Sequence, residues 1–196
     1  MKKLTALELG IDYGVFRIFD ASLDQKVYTF HAVTEQTISQ GFSKCRESYS
    51  FHVLADCMNL AIEVWLADQQ EEIQIRPDSV RAILVPFSVS AAGIMIDDSE
   101  MRVRQRITIT EGEYALLFEL KLRDDPEYLN SELYQENIEG GFTEESCCLT
   151  FYPRKEPVQP EILRVDTWLS PPPYEFQGYC PLQPSYPLLM EDMGMD

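Results

Sequence analysis

Alternation with a period of two runs through most of this chain, and no other feature restricts its fold as much. In YALLFELKL, Tyr114, Leu116, Phe118, Leu120 and Leu122 fall on one side of an extended strand. LELGIDY does the same with Leu7, Leu9, Ile11 and Tyr13, and after Gly14 the phase passes to Phe16 and Ile18, which predicts a bulge or tight turn at the glycine. LAIEVWLAD aligns Leu60, Ile62, Val64 and Leu66. VRAILVPFSVS is a nearly continuous apolar strand, and its Pro86, which has no N–H to donate, predicts an edge or a bulge. GIMI, CCLTFY and EILRVDTWL supply further strands, the last two closing the sheet, and EGE between MRVRQRITIT and YALLFELKL reads as a hairpin connection. Only 34–44 and 126–137 have a helical pattern. The expectation is an all-β fold, an antiparallel β-sandwich with one or two short helices.

The chain divides unevenly. Nine of its 12 prolines lie beyond residue 150, and a proline-rich segment cannot enter a sheet interior. We expect a β-sandwich domain over 1–168, with an acidic insertion at 124–145, and an extended Pro-rich arm over 169–196.

Charge narrows the function classes. Of the 33 acids and 16 Lys and Arg, residues 1–123 hold 18 acids and 13 bases, net −5, whereas 124–145 hold eight acids and no base. Such a field repels nucleic acid and anionic lipid and attracts basic proteins or cations. Glu8 and Asp12 interrupt any apolar leader at the N-terminus, and no apolar run is long enough to span a bilayer. Five cysteines without a C-x-x-C pair read as reduced thiols, so a cytoplasmic protein is expected, with Cys147 and Cys148 facing opposite sides of a strand.

Reactive groups are scarce. His31 and His52 are the only histidines, and His52 sits in an alternating strand beside Phe51 and Val53, as a structural or exposed histidine would. The chain has no G-x-S-x-G elbow, phosphate-binding glycine loop or H-E-x-x-H motif. The acids at 97–100 and 124–145 lack calcium-loop spacing. No catalytic residue, metal site or cofactor is assigned. Arg102, Arg104 and Arg106 share one strand face, as a solvent-facing row or a docking stripe that pairs with acids from 124–145 or from the C-terminal arm.

The acidic stretch is the candidate site. Asp125 can cap a helix, Pro126 suits its first position, and Glu127 complements its dipole. A helix to 137 would put Glu132, Glu136 and Glu139 in one stripe covering roughly 10 Å. DNA offers about one charge per 1.7 Å of axis, so three carboxylates are too sparse to imitate a duplex alone. A partner-binding surface would therefore draw on Asp124, Asp125, Glu127, Glu132, Glu136, Glu139, Glu144 and Glu145 together. A solvated loop is the alternative.

Four blocks, LELGIDYGVFRIFD, SQGFSKCRESYSFHV, ILVPFSVSAAGIMI and RITITEGEYALLFEL, resemble the competence protein J family in order and spacing over residues 7–122. The founding member of that family inhibits a DNA-entry nuclease. The resemblance implies a non-catalytic β-sandwich that inhibits or regulates a nuclease, and it supplies no catalytic residue. Residues 124–145 and the proline-rich end look like additions to the shorter family core. A different interaction module, or a small-ligand or calcium-binding sandwich, is the other reading.

Overall fold

A computed structural model describes residues 1–11, 13–23, 34–45, 48–54, 58–69, 71–98, 103–124, 129–132, 135–136, 144–156 and 158–165. Among the described residues eleven strands form two sheets: β1 (Lys2–Ile11), β2 (Val15–Asp20), β3 (Phe42–Cys45), β4 (Ser48–His52), β5 (Met58–Leu66), β6 (Arg81–Val89), β7 (Ile94–Asp98), β8 (Arg104–Ile107), β9 (Gly112–Leu122), β10 (Glu145–Pro153) and β11 (Glu161–Arg164). One sheet has the order β1-β5-β10-β9-β6-β11, the other β3-β4-β2-β7-β8. All pairings are antiparallel except β5 with β10. The expected all-β sandwich is what the chain forms.

Alternation places the core between the sheets. Leu60, Ile62 and Val64 of β5, Ile83, Val85 and Phe87 of β6, and Leu116, Phe118 and Leu120 of β9 meet Phe16, Ile18, Tyr49, Phe51, Ile94 and Ile96 from the opposite sheet. The stacked rings of Phe51 and Phe118, with centroids 4.5 Å apart, join the two layers at their centre. On the other face of the six-stranded sheet, Ala82, Leu84, Ala115, Leu117 and Tyr152 make a second apolar cluster beneath Ile73, Ile75, Val158 and Leu163.

Polar clamps hold the layers together at both ends. At one end Asp20, 3% exposed, accepts from the backbone and hydroxyl of Ser90, at 2.5 and 2.8 Å, just past β6. At the other, Arg81 donates to the His52 carbonyl, and Glu145 accepts from the Leu54 N–H at 2.9 Å. Midway, the Tyr49 hydroxyl donates to the Pro86 carbonyl at 2.6 Å.

Several local expectations change. Tyr13 does not continue the core face of β1: at φ 63, beside Gly14 at φ 62, it forms the tight turn that carries the chain from one sheet to the other. The hairpin expected at EGE is instead a crossover, since β8 pairs with β7 in one sheet while β9 lies in the other. Gly93 allows that arrangement, because a Cβ there would stand 2.6 Å from the Ile107 carbonyl oxygen. The first helix is shorter than 34–44: α1 (Glu35–Gln40) starts at a Thr34–Thr37 capping box and stops at Gly41, φ 81, after which Phe42–Cys45 is strand. Leu129, Glu132, Gln135 and Glu136 are helical within 126–137, most of which lies outside the described residues, as does the arm at 169–196. Of the two closing strands, only β11 is at an edge, and β10 is central. Pro86 is where an edge was expected, since β11 covers β6 only at Ala82–Leu84.

A candidate partner-binding surface

Register lays out the outer face of the six-stranded sheet in transverse rows. Glu8, Ala61, Ser146 and Lys121 form one row, and Ala6, Glu63, Cys148 and Glu119 the next. The small side chains of Ala61, Ser146 and Cys148 leave a groove of about 500 Å³ along this face. Its lining residues include six acids (Glu8, Glu63, Glu119, Asp124, Glu144, Glu145) and three bases (Arg76, Lys121, Arg123), with Glu145 turned inward from the groove. The Ser146 hydroxyl has no hydrogen-bond partner.

Most of the wall charges serve the fold. Glu63 accepts from Lys3 at 2.6 Å and from the Trp65 indole at 3.0 Å; the Lys3 ammonium comes first among the effects that hold its carboxyl below the usual carboxylate range. Glu119, buried, accepts from the Arg76 N–H at 2.7 Å and the Ser79 hydroxyl at 2.8 Å, tying segment 71–80 onto the sheet. Lys121 reaches Asp78 at 3.3 Å.

The acidic stretch lies at one end of this groove because it links two neighbouring strands, β9 and β10. Its base is closed by the Arg123 N–H to the Glu144 carbonyl, 2.8 Å, and by the Arg123–Glu144 ion pair, 2.6 Å. Of the eight acids singled out in the sequence, Asp124, Glu132 and Glu136 are exposed. Glu144 is half-buried in its ion pair. Asp125, Glu127 and Glu139 lie outside the described residues. Glu145 is a correction: it is 2% exposed and cannot belong to an exposed surface. It shares the inward phase of Cys147, Leu149 and Phe151, so its carboxylate enters the end of the sandwich and satisfies Leu54.

The other sequence candidates have structural roles. Arg17 grips the buried Asp97 with two hydrogen bonds, 2.8 and 2.7 Å, and Arg104 stands 3.6 Å from the same carboxylate. Burial pushes the Asp97 carboxyl up, and the two guanidinium groups oppose that shift. Arg106 donates twice to the Ala92 carbonyl, and Arg102 is outside the described residues. His52 is buried, and burial together with the Arg81 charge lowers its pKa to about 4. Cys147 and Cys148 are buried on opposite faces as expected, and burial pushes both thiols up, Cys148 to about 11, away from the reactive thiolate. Among the described residues no group of His, Cys, Asp or Glu could hold a metal ion, and no helix is long and apolar enough to cross a membrane.

The profile described as Competence protein J (ComJ) matches residues 8–152, nearly three quarters of the chain. The chain belongs to the ComJ family. Comparison with curated proteins finds no match. Among solved structures, the chain is similar to ComJ of Bacillus subtilis, described as an inhibitor of the DNA degrading activity of NucA: TM-score 0.58, 19% identity, 78% of this chain and 98% of that one. It is also similar to the product of crocagin biosynthetic gene J, with TM-score 0.50, 13% identity, 79% of this chain and all of that one. At these identities the likeness is one of fold. The ComJ match ends at Tyr152, on β10, so it takes in the acidic β9–β10 connection and leaves out the edge strand β11.

Sequence reasoning missed the groove altogether. It depends on which strands are neighbours, and alternation alone does not give strand order.

Proposed function

We propose that this chain is a non-catalytic protein inhibitor of a DNA-degrading nuclease, and that it meets a basic surface of its partner with the acids around the β9–β10 connection. The match to the ComJ family over 8–152 carries the reading, and the ComJ of Bacillus subtilis, an inhibitor of NucA, gives it its chemistry. Charge supports it. A nuclease face that binds phosphates must be basic, and exposed Asp124, Glu132 and Glu136 offer it carboxylates in place of phosphates. The same acids disfavour direct binding of DNA by this chain. Its cytoplasmic placement remains part of the proposal.

The test is a plasmid-degradation assay. The purified chain is titrated against the NucA-type nuclease of its own source, with an unrelated DNA endonuclease as control. We expect degradation to stop near one equivalent of chain and the control enzyme to be unaffected. Full nuclease activity at a hundredfold excess of chain, with no complex on size-exclusion chromatography, would overturn the proposal.

A further inference from the structure

Tyr13 stands apart from the other described tyrosines. Tyr49, Tyr114 and Tyr152 are buried; the first two donate to the carbonyls of Pro86 and Thr110, and the third has Arg154 over its ring. Tyr13 is 77% exposed, and no hydrogen bond, ring contact or cation contact within the described residues involves it. Its backbone is also unusual, at φ 63, a left-handed conformation that glycine or asparagine adopts at lower cost. Neither packing nor local geometry asks for a tyrosine here.

Its position supplies the reason. Ile11 pairs with Met58 and Gly10 with Asn59, a groove residue, so the Tyr13 turn follows the groove wall directly. The Gly14 carbonyl accepts from Val53, next to Leu54, whose N–H is held by Glu145 at the root of the acidic connection. The Tyr13 turn and the root of the acidic connection therefore lie at the same end of the sandwich, where Asp124 lines the groove and makes no ion pair among the described residues. A basic partner drawn to these acids carries lysine or arginine side chains, and such a cation gains further from the face of an exposed ring at the same end. Tyrosine is also among the residues that dominate binding energy at protein interfaces.

We propose that Tyr13 is the aromatic anchor of this surface, and that it covers a lysine- or arginine-bearing loop of the bound nuclease. The inference rests on the inhibitor reading above and adds to it a residue outside the acidic stretch. The anchor contributes to the lifetime of the complex, whereas the acids act mainly on its formation.

The experiment measures binding of a catalytically inactive NucA-type nuclease to wild-type chain and to Tyr13→Asn and Tyr13→Phe, with thermal melts of all three. Asparagine suits the left-handed backbone and removes the ring; phenylalanine keeps the ring. We expect Tyr13→Asn to weaken binding tenfold or more through faster dissociation, with an unchanged or higher melting temperature, and Tyr13→Phe to stay within about threefold of wild type. Tight binding by the wild type together with equal affinity of Tyr13→Asn would overturn the anchor and leave the inhibitor reading standing. Absence of any wild-type binding would overturn both.

Discussion

His52 shows how a single side chain sets a pH dependence. Its pKa falls from 6.5 to about 4, because burial and the nearby Arg81 charge disfavour the imidazolium. In the unfolded chain the ring takes up its proton near 6.5, so between about 6.5 and 4 the unfolded state binds more protons than the folded one. Stability is therefore fully present above 6.5 and declines as pH falls through that window, by up to about 3 kcal/mol. Replacing the ring with leucine removes this term along with a buried Nε2 that has no hydrogen-bond partner. We expect His52→Leu to flatten the dependence of urea-unfolding free energy on pH between 6.5 and 4; an unchanged slope would exclude His52 as its source. Its place between Phe51 and Val53 left the ring structural or exposed in the sequence, and the structure buries it. The burial of Glu145 was legible, since ESCCLTF sets it in phase with Cys147, Leu149 and Phe151, but a run of acids on its N-terminal side drew it into the loop.

At the scale of elements, alternation located the strands and left their partners open. MRVRQRITIT and YALLFELKL both alternate around a glycine, so the short-range reading was a hairpin. The pairing of Ile107 with Ile94 takes β8 into the other sheet, and the close approach at Gly93 that permits it joins residues too distant in sequence to signal one another. The acidic connection differs, because the role proposed for it depends on charge rather than pairing. Asp124, Glu132 and Glu136 are exposed and make no ion pair among the described residues, so changing them should leave the fold intact. We expect the triple variant Asp124→Asn, Glu132→Gln, Glu136→Gln to keep the wild-type melting temperature within about 2 °C while associating with the nuclease several-fold more slowly at low salt. The difference should shrink as salt approaches 1 M, where screening is complete within about 3 Å. Stopped-flow association rates across a salt series check this, and equal rates at low salt would make the connection a solvated loop.

On the scale of the whole molecule, the proposed binding surface and the Asp20 clamp lie at opposite ends. Glu145, Arg81, Tyr13 and the acidic connection occupy one end of the sandwich, while Asp20 and Ser90 fasten the other. Among the described residues the Asp20 carboxylate accepts four hydrogen bonds, from the backbone and hydroxyl of Ser22 and the backbone and hydroxyl of Ser90. Burial alone would push its carboxyl up, but those donors outweigh burial and hold it below the ordinary value of 3.8. Asparagine has the same shape, yet its amide presents N–H to at least one of these donors and leaves a buried group unsatisfied. We expect Asp20→Asn to cost about 2 kcal/mol at pH 7, read from the urea midpoint at unchanged m-value. A carboxyl with a lowered folded pKa stabilises above its ordinary value and loses that contribution as pH falls through the folded one, so the gap to wild type should narrow below about pH 4. Because the clamp lies at the far end from Tyr13 and the acids, nuclease affinity at pH 7 and 20 °C should be unchanged as long as the variant remains folded. A loss of affinity with the fold intact would place the partner across the whole length of the sandwich rather than at one end.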